Sequence, residues 1–216
     1  MEDIMMGKIS IVYSILKNTT TDILTVFYQY FWFSLIIAVL VMFAYMYCFD
    51  EERPERGLKP AFRMWGKRFI SSSHFRRMFF LAFYTGMVLF RTLLNRNLWF
   101  NPLQNIMGGW PLWKTAADGS IHITTDSLEN VLMLLPLICL LYMTERDRIL
   151  KKMNVFYVCW KSAWISLVIS IGIESLQLIL RLGTFQISDL CYNTLGGVAG
   201  GLIYWLAWKI KRFVKK

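Results

Sequence analysis

The chain has 216 residues, of which 56% are hydrophobic and 18% charged, with a mean hydropathy of +0.43 and a net charge of +10. That balance excludes a disordered chain, a solvated coiled coil and an ordinary soluble enzyme, and it indicates a polytopic membrane protein. In a soluble domain the basic excess would suggest nucleic acid. In a lipid-embedded chain it marks cytoplasmic loops facing anionic lipid, so no nucleic-acid partner is expected.

The start, Met-Glu-Asp, has no basic n-region, and no small-residue cleavage site follows the first long apolar run, which is therefore expected to stay as an anchor. Residues 5–16 read as an interfacial helix. Five segments then read as transmembrane helices, at about 23–49, 78–94, 128–144, 157–181 and 190–208. The fold expected is an all-α, polytopic membrane helical bundle. Cys48, Cys139, Cys159 and Cys191 lie in or beside apolar runs, without zinc-ligand spacing, and read as small hydrophobes. Neither a metal nor another cofactor is expected.

Two connectors are long. The 50–77 segment mixes acidic and basic residues with Pro54, Gly57 and Pro60 and reads as a solvated or lipid-apposed linker. The 95–127 segment is too long for a simple turn. Its apolar first part, Asn97 to Met107, is expected to lie on or dip into the outer leaflet, and Ala117-Asp118-Gly119-Ser120 reads as a turn closing a hairpin into Ile121–Ile123. Eighteen basic residues fall on the side of the 50–77 loop, the 145–155 loop and the carboxyl-terminal tail, against six on the other. The positive-inside rule thus places the amino terminus outside and the carboxyl terminus in the cytoplasm.

Polar residues occur where lipid disfavours them. Glu174, Gln177 and Arg181 share one stripe of the fourth span, with Ser170 continuing it inward, and Glu174 lies about 10 Å deeper than Arg181. Asp189 and Asn193 open the fifth span, followed by Gly196, Gly197, Gly200 and Gly201, two overlapping small-xxx-small pairs that demand close helix packing. The fourth and fifth spans form an antiparallel hairpin that brings these polar groups to one depth. Arg91 on the second span, and Glu129 and Asn130 on the third, join them, so a hydrophilic chamber open to the outside, walled by the last two spans and a neighbour, is expected. Structural alternatives stand beside it. Glu129 has capping-box spacing from Asp126, Arg181 and Asp189 fit interfacial charges, and Glu174 with Arg91 or Arg181 fits a packing ion pair.

The run Glu174-Ser-Leu-Gln177, Arg181, Asp189-Leu-Cys-Tyr-Asn193-Thr-Leu-Gly196-Gly197-Val-Ala-Gly200-Gly201 resembles the signature of VanZ-like membrane proteins. Asn130 with the following apolar run and Pro136 resembles that family's preceding block, and Arg91 with Asn101-Pro102 an earlier one. The resemblance spans about 78–208, which reads as a four-helix membrane domain, after a 1–77 segment holding the extra helix and basic loop, and before a basic 209–216 tail. It implies a bacterial plasma-membrane protein of a family associated with low-level resistance to the glycopeptide teicoplanin. Four functions stay open. One is binding of a lipid-linked envelope precursor or lipoglycopeptide head group by Arg91, Asn130, Glu174, Gln177, Arg181, Asp189 and Asn193. The others are an enzyme on a lipid head group with Glu174 as general base, a lipid or ion transporter, and an assembly protein that dimerises through its glycines.

Overall fold

The computed structural model describes residues 2–49, 57–94, 98–110, 113–115, 121–123 and 125–214, with side chains from Tyr13 onward except Ile15 and those of the two short strands. Six helices account for nearly all of it: α1 (Glu2–Phe49), α2 (Leu58–Ser71), α3 (Ser73–Leu93), α4 (Asp126–Ile149), α5 (Val155–Leu180) and α6 (Ile187–Val214). Two three-residue strands, β1 (Trp113–Thr115) and β2 (Ile121–Ile123), pair antiparallel with Lys114 opposite His122. The proposed turn at 117–120 between them lies outside the described residues.

The five apolar segments read from the sequence correspond to α1, α3, α4, α5 and α6. By length and composition, Leu16–Phe49, α4 and α5 are long and apolar enough to cross a membrane. The reading of 5–16 as a separate interfacial helix is corrected. Those residues belong to α1, one helix of 48 residues and about 70 Å. The 50–77 linker is corrected too, because residues 58–71 form α2. Pro60 sits in the first turn, where its missing N–H costs nothing. Ala61, Met64, Trp65 and Phe69 then repeat at helical spacing, pressing α2 onto a core of Ala38, Met42, Met46, Phe75 and Phe79 between α1 and α3. A one-residue break at Ser72 follows, and its hydroxyl caps α3 by accepting from the Phe75 N–H.

Two helix groups meet at α3. On one side α1 runs along α3, where Gly86 lets the Ser34 backbone approach. On the other, α6 lies wedged between α4 and α5, which barely touch each other. The glycines explain the wedge. A methyl group built on Gly196 or Gly200 would land on the carbonyl of Val131 or Leu135 in α4; one on Gly197 or Gly201 would land on Ser166 or Ser162 in α5. Each small-xxx-small pair therefore serves a different neighbour. The α5 face turned toward α6 is correspondingly small and polar. Ser162, Ser166 and Ser170 are fully buried, while Trp160, Trp164 and Val168 point outward, an arrangement suited to lipid rather than water.

Candidate functional site

The polar residues singled out in the sequence separate into two groups. The first lines a cavity of about 330 Å³ between α1, α3 and α4. Arg91, near the end of α3, donates from Nη2 to Glu129 Oε2 at 2.6 Å. The other Glu129 oxygen accepts from the Thr125 hydroxyl at 2.8 Å, and that hydroxyl lies 3.2 Å from Asp22 Oδ2 of α1. Asn130 and Thr92 share the wall. Below this polar rim the lining is apolar: Val26, Phe27, Met87, Val88, Met133 and Pro136. Asp22 was not singled out in the sequence, since it stands alone at the head of the first apolar run and only the α1–α3–α4 packing brings it here.

Glu129 adopts neither role set out for it in full. It follows the N-cap Thr125 by four residues, and its carboxylate is held by the Thr125 hydroxyl and Arg91 together, tying α3 to the first turn of α4. The geometry is that of an interhelix ion pair about one-fifth to one-third exposed, accessible enough for one end of the guanidinium to meet a ligand.

The second group is packed between helices. Glu174 and Gln177 are each 2% exposed and Asn193 is 1% exposed. Gln177 Nε2 donates to the Thr92 carbonyl at 2.8 Å, so α5 grips α3 one residue beyond Arg91. Asn193 Nδ2 donates to Ser170 Oγ at 2.9 Å, linking α6 to α5. Glu174 Oε2 accepts the Gln186 backbone N–H at 3.0 Å and thereby anchors the turn leading into α6. The expected chamber walled by the last two helices is corrected accordingly: the cavity beside Arg91 is walled by α1, α3 and α4, while α5 and α6 close against each other through serine and glycine. The physical reason is that small residues, once paired, leave no width between helix backbones for a ligand.

Arg181 stands apart from both groups. It ends α5 in the left-handed region (φ 55°, ψ 36°), its side chain is exposed, and the Leu182 N–H closes back on the Gln177 carbonyl at 2.8 Å. Its own carbonyl accepts from the Trp99 N–H at 2.9 Å. Two further backbone bonds, Phe185 N–H to Pro102 and Ile187 N–H to Ile106, strap residues 98–110 across the α5–α6 turn. Gly108 (φ 78°) makes the strap possible, because a side chain there would meet both a strained backbone and Ser188. Asp189 sits in the first turn of α6, where its charge favours the helix N-terminus, and the Ser188 hydroxyl lies 3.4 Å from it.

The chain matches the family model described as VanZ/LLP1 over residues 25–208, a stretch that reaches upstream of the 78–208 motifs to take in α2 and about half of α1. Neither the curated proteins nor the solved structures contain a match.

Proposed function

The chain belongs to the VanZ/LLP1 family, and on that premise we propose that it is a multi-pass protein of the bacterial plasma membrane that holds the polar head of a lipid-anchored ligand in the Arg91 cavity. In this reading α1, α3, α4, α5 and α6 cross the bilayer, with the amino terminus and the cavity mouth outside and the basic tail inside. The observation that carries it is the cavity's lining, polar at one rim through Asp22, Arg91, Glu129 and Asn130 and apolar below. That profile fits an amphiphile, and the volume of about 330 Å³ falls at the small end of the roughly 300–1,000 Å³ typical of ligand sites, enough for a head group.

Arg91 uses one guanidinium nitrogen on Glu129 and has further N–H donors for a phosphate or carboxylate. Asn130 would orient a sugar or amide. Glu174, Gln177 and Asn193 serve the ligand indirectly, by fixing α3, α5 and α6. Arg181 and Asp189, at the outer turn, are proposed contacts for the part of the ligand projecting from the bilayer. The ligand class is a lipid-linked cell-wall precursor or a lipoglycopeptide of the teicoplanin type. Sequestering, excluding or remodelling the drug's target at the outer surface would then contribute to resistance. Glu174 as a general base has less support, since its carboxylate is buried and bonded to the Gln186 amide.

The test is binding of fluorophore-labelled teicoplanin and of a labelled lipid-linked precursor to the purified chain in nanodiscs. Losing a charge-assisted hydrogen bond of ~1.5–3 kcal/mol should weaken binding about 10- to 100-fold in Arg91→Gln/Glu129→Gln, a pair of changes that removes both members of the ion pair together. Binding as tight as wild type would remove the cavity from the proposal.

A further inference from the structure

A second cavity, of about 660 Å³, opens at the opposite end of the bundle, where α3 begins and α4 and α6 end. Its floor is apolar, formed by Cys139, Met143, Ala207 and Trp208. Its rim carries Arg77, Arg146, Lys211 and Arg212. A smaller cavity of about 390 Å³ adjoins it, sharing Arg77, Met143, Arg146 and Tyr204 and adding Arg148, Glu145 and Asp147. Five fixed cations thus face two carboxylates, and both carboxylates are engaged: Glu145 with Arg148 at 3.0 Å, and Asp147 with Arg146.

The remaining three cations have no carboxylate partner among the described residues. Arg77 is held by backbone alone, donating to the Met143 carbonyl at 2.5 Å and the Ser73 carbonyl at 3.2 Å. Those bonds fix its guanidinium across the gap between α3 and α4. Arg212 lies over the Trp208 ring, 5.5 Å from its centroid, and Lys211 is its neighbour. A positively charged rim above an apolar trough matches one kind of molecule: an anion with hydrocarbon attached.

We propose that the groove between α3, α4 and α6 is a docking site for an anionic phospholipid. Its phosphodiester would lie between Arg77 and the Lys211–Arg212 pair, and its glycerol and first acyl carbons would lie on Met143 and Trp208. The site is separate from the Arg91 cavity and independent of which ligand that cavity holds. It also differs from diffuse attraction of a basic tail to a charged surface, because it predicts that particular lysines and arginines matter and others do not.

The experiment titrates phosphatidylglycerol or phosphatidylcholine into the detergent-purified full chain and reads bound lipid by native mass spectrometry. Phosphatidylglycerol should bind at least tenfold more tightly than phosphatidylcholine. Each cation near a lipid phosphate contributes roughly fivefold, so Lys211→Gln/Arg212→Gln should weaken phosphatidylglycerol binding about 25-fold. The exposed pair Lys151→Gln/Lys152→Gln, outside the cavity lining, should lose less than twofold. Thermal unfolding of each variant verifies the fold, and Arg77→Gln supplies an independent probe from another helix. Equal binding of the two lipids by wild type, or equal losses in the two lysine-containing pairs, would overturn the site. Displacement of phosphatidylglycerol by soluble glycerophosphoglycerol would also overturn lipid docking, by showing that the trough contributes nothing.

Discussion

Replacing Gly196 with alanine probes the wedge directly. The added carbon would lie 2.8 Å from the Val131 carbonyl carbon and 2.9 Å from its Cα, against optimal carbon–carbon separations of about 3.5–4.0 Å. Both obstacles are backbone, so no side chain can rotate away, and α6 must move off α4 by roughly 1 Å. That shift loosens the contacts along the shared face, including Gly200 on Leu135 and Gly197 beside the fully buried Ile138. Overpacking of this kind costs about 1–3 kcal/mol, and a rigid obstacle puts the loss near the upper end, against a helix-propensity gain of about 0.5–1 kcal/mol. The net expectation is a destabilisation of roughly 2 kcal/mol. Gly172→Ala on α5 is the control, since nothing lies within 4 Å of its added methyl, and it should be neutral or stabilising. Adding Gly200→Ala to Gly196→Ala should cost little more, the helices being already apart. Reversible unfolding in mixed micelles measures all of these. A Gly196→Ala variant as stable as wild type, or a Gly172→Ala variant equally damaged, would refute the wedge.

Glu174→Gln keeps an acceptor for the Gln186 amide and should retain most of the wild-type melting temperature. Glu174→Ala should lose considerably more, and equal losses would mean that charge, not the turn contact, is what Glu174 supplies. Gln177→Leu removes the bond to the buried Thr92 residue's carbonyl and should destabilise the fold by about 1–3 kcal/mol in the same unfolding assay, with no loss refuting the α5–α3 grip. A double-mutant cycle on Arg91→Met and Glu129→Met should return a coupling of about 0.5–3 kcal/mol, and zero coupling would show the pair to be solvated independently. For orientation, in a chain whose four native cysteines are replaced by serine, a membrane-impermeant maleimide should label Gln104→Cys on intact cells and Lys151→Cys only after permeabilisation; the reverse pattern would invert the bundle.

Apolar runs were enough to locate α1, α3, α4, α5 and α6, of which Leu16–Phe49, α4 and α5 are long and apolar enough to cross a membrane. They were not enough for α2, whose basic residues mask an apolar stripe at 61, 64, 65 and 69 that only periodicity reveals. The polar positions were also legible, as exceptions within apolar runs. Their partners were legible only in part. The α5–α6 hairpin does pair Asn193 with Ser170, but Gln177 binds Thr92, 85 positions earlier, and Arg91 binds Glu129. Contacts between helices distant in sequence depend on rotation about each axis, and a polar stripe such as that of α5 shows which face turns inward without saying which neighbour each residue meets. The glycines gave the close approach but not the fact that alternate pairs address different neighbours.

That division of labour makes α6 the keystone of the bundle. Since α4 and α5 scarcely meet, the last helix supplies most of the contact that joins them, alongside the polar grips that each makes on α3. A chain under synthesis therefore lacks the cover for both faces until its final thirty or so residues arrive. A premature stop codon even late in the reading frame would leave the carbonyl-lined face of α4 and the serine-lined face of α5 bare, a target for quality-control proteases.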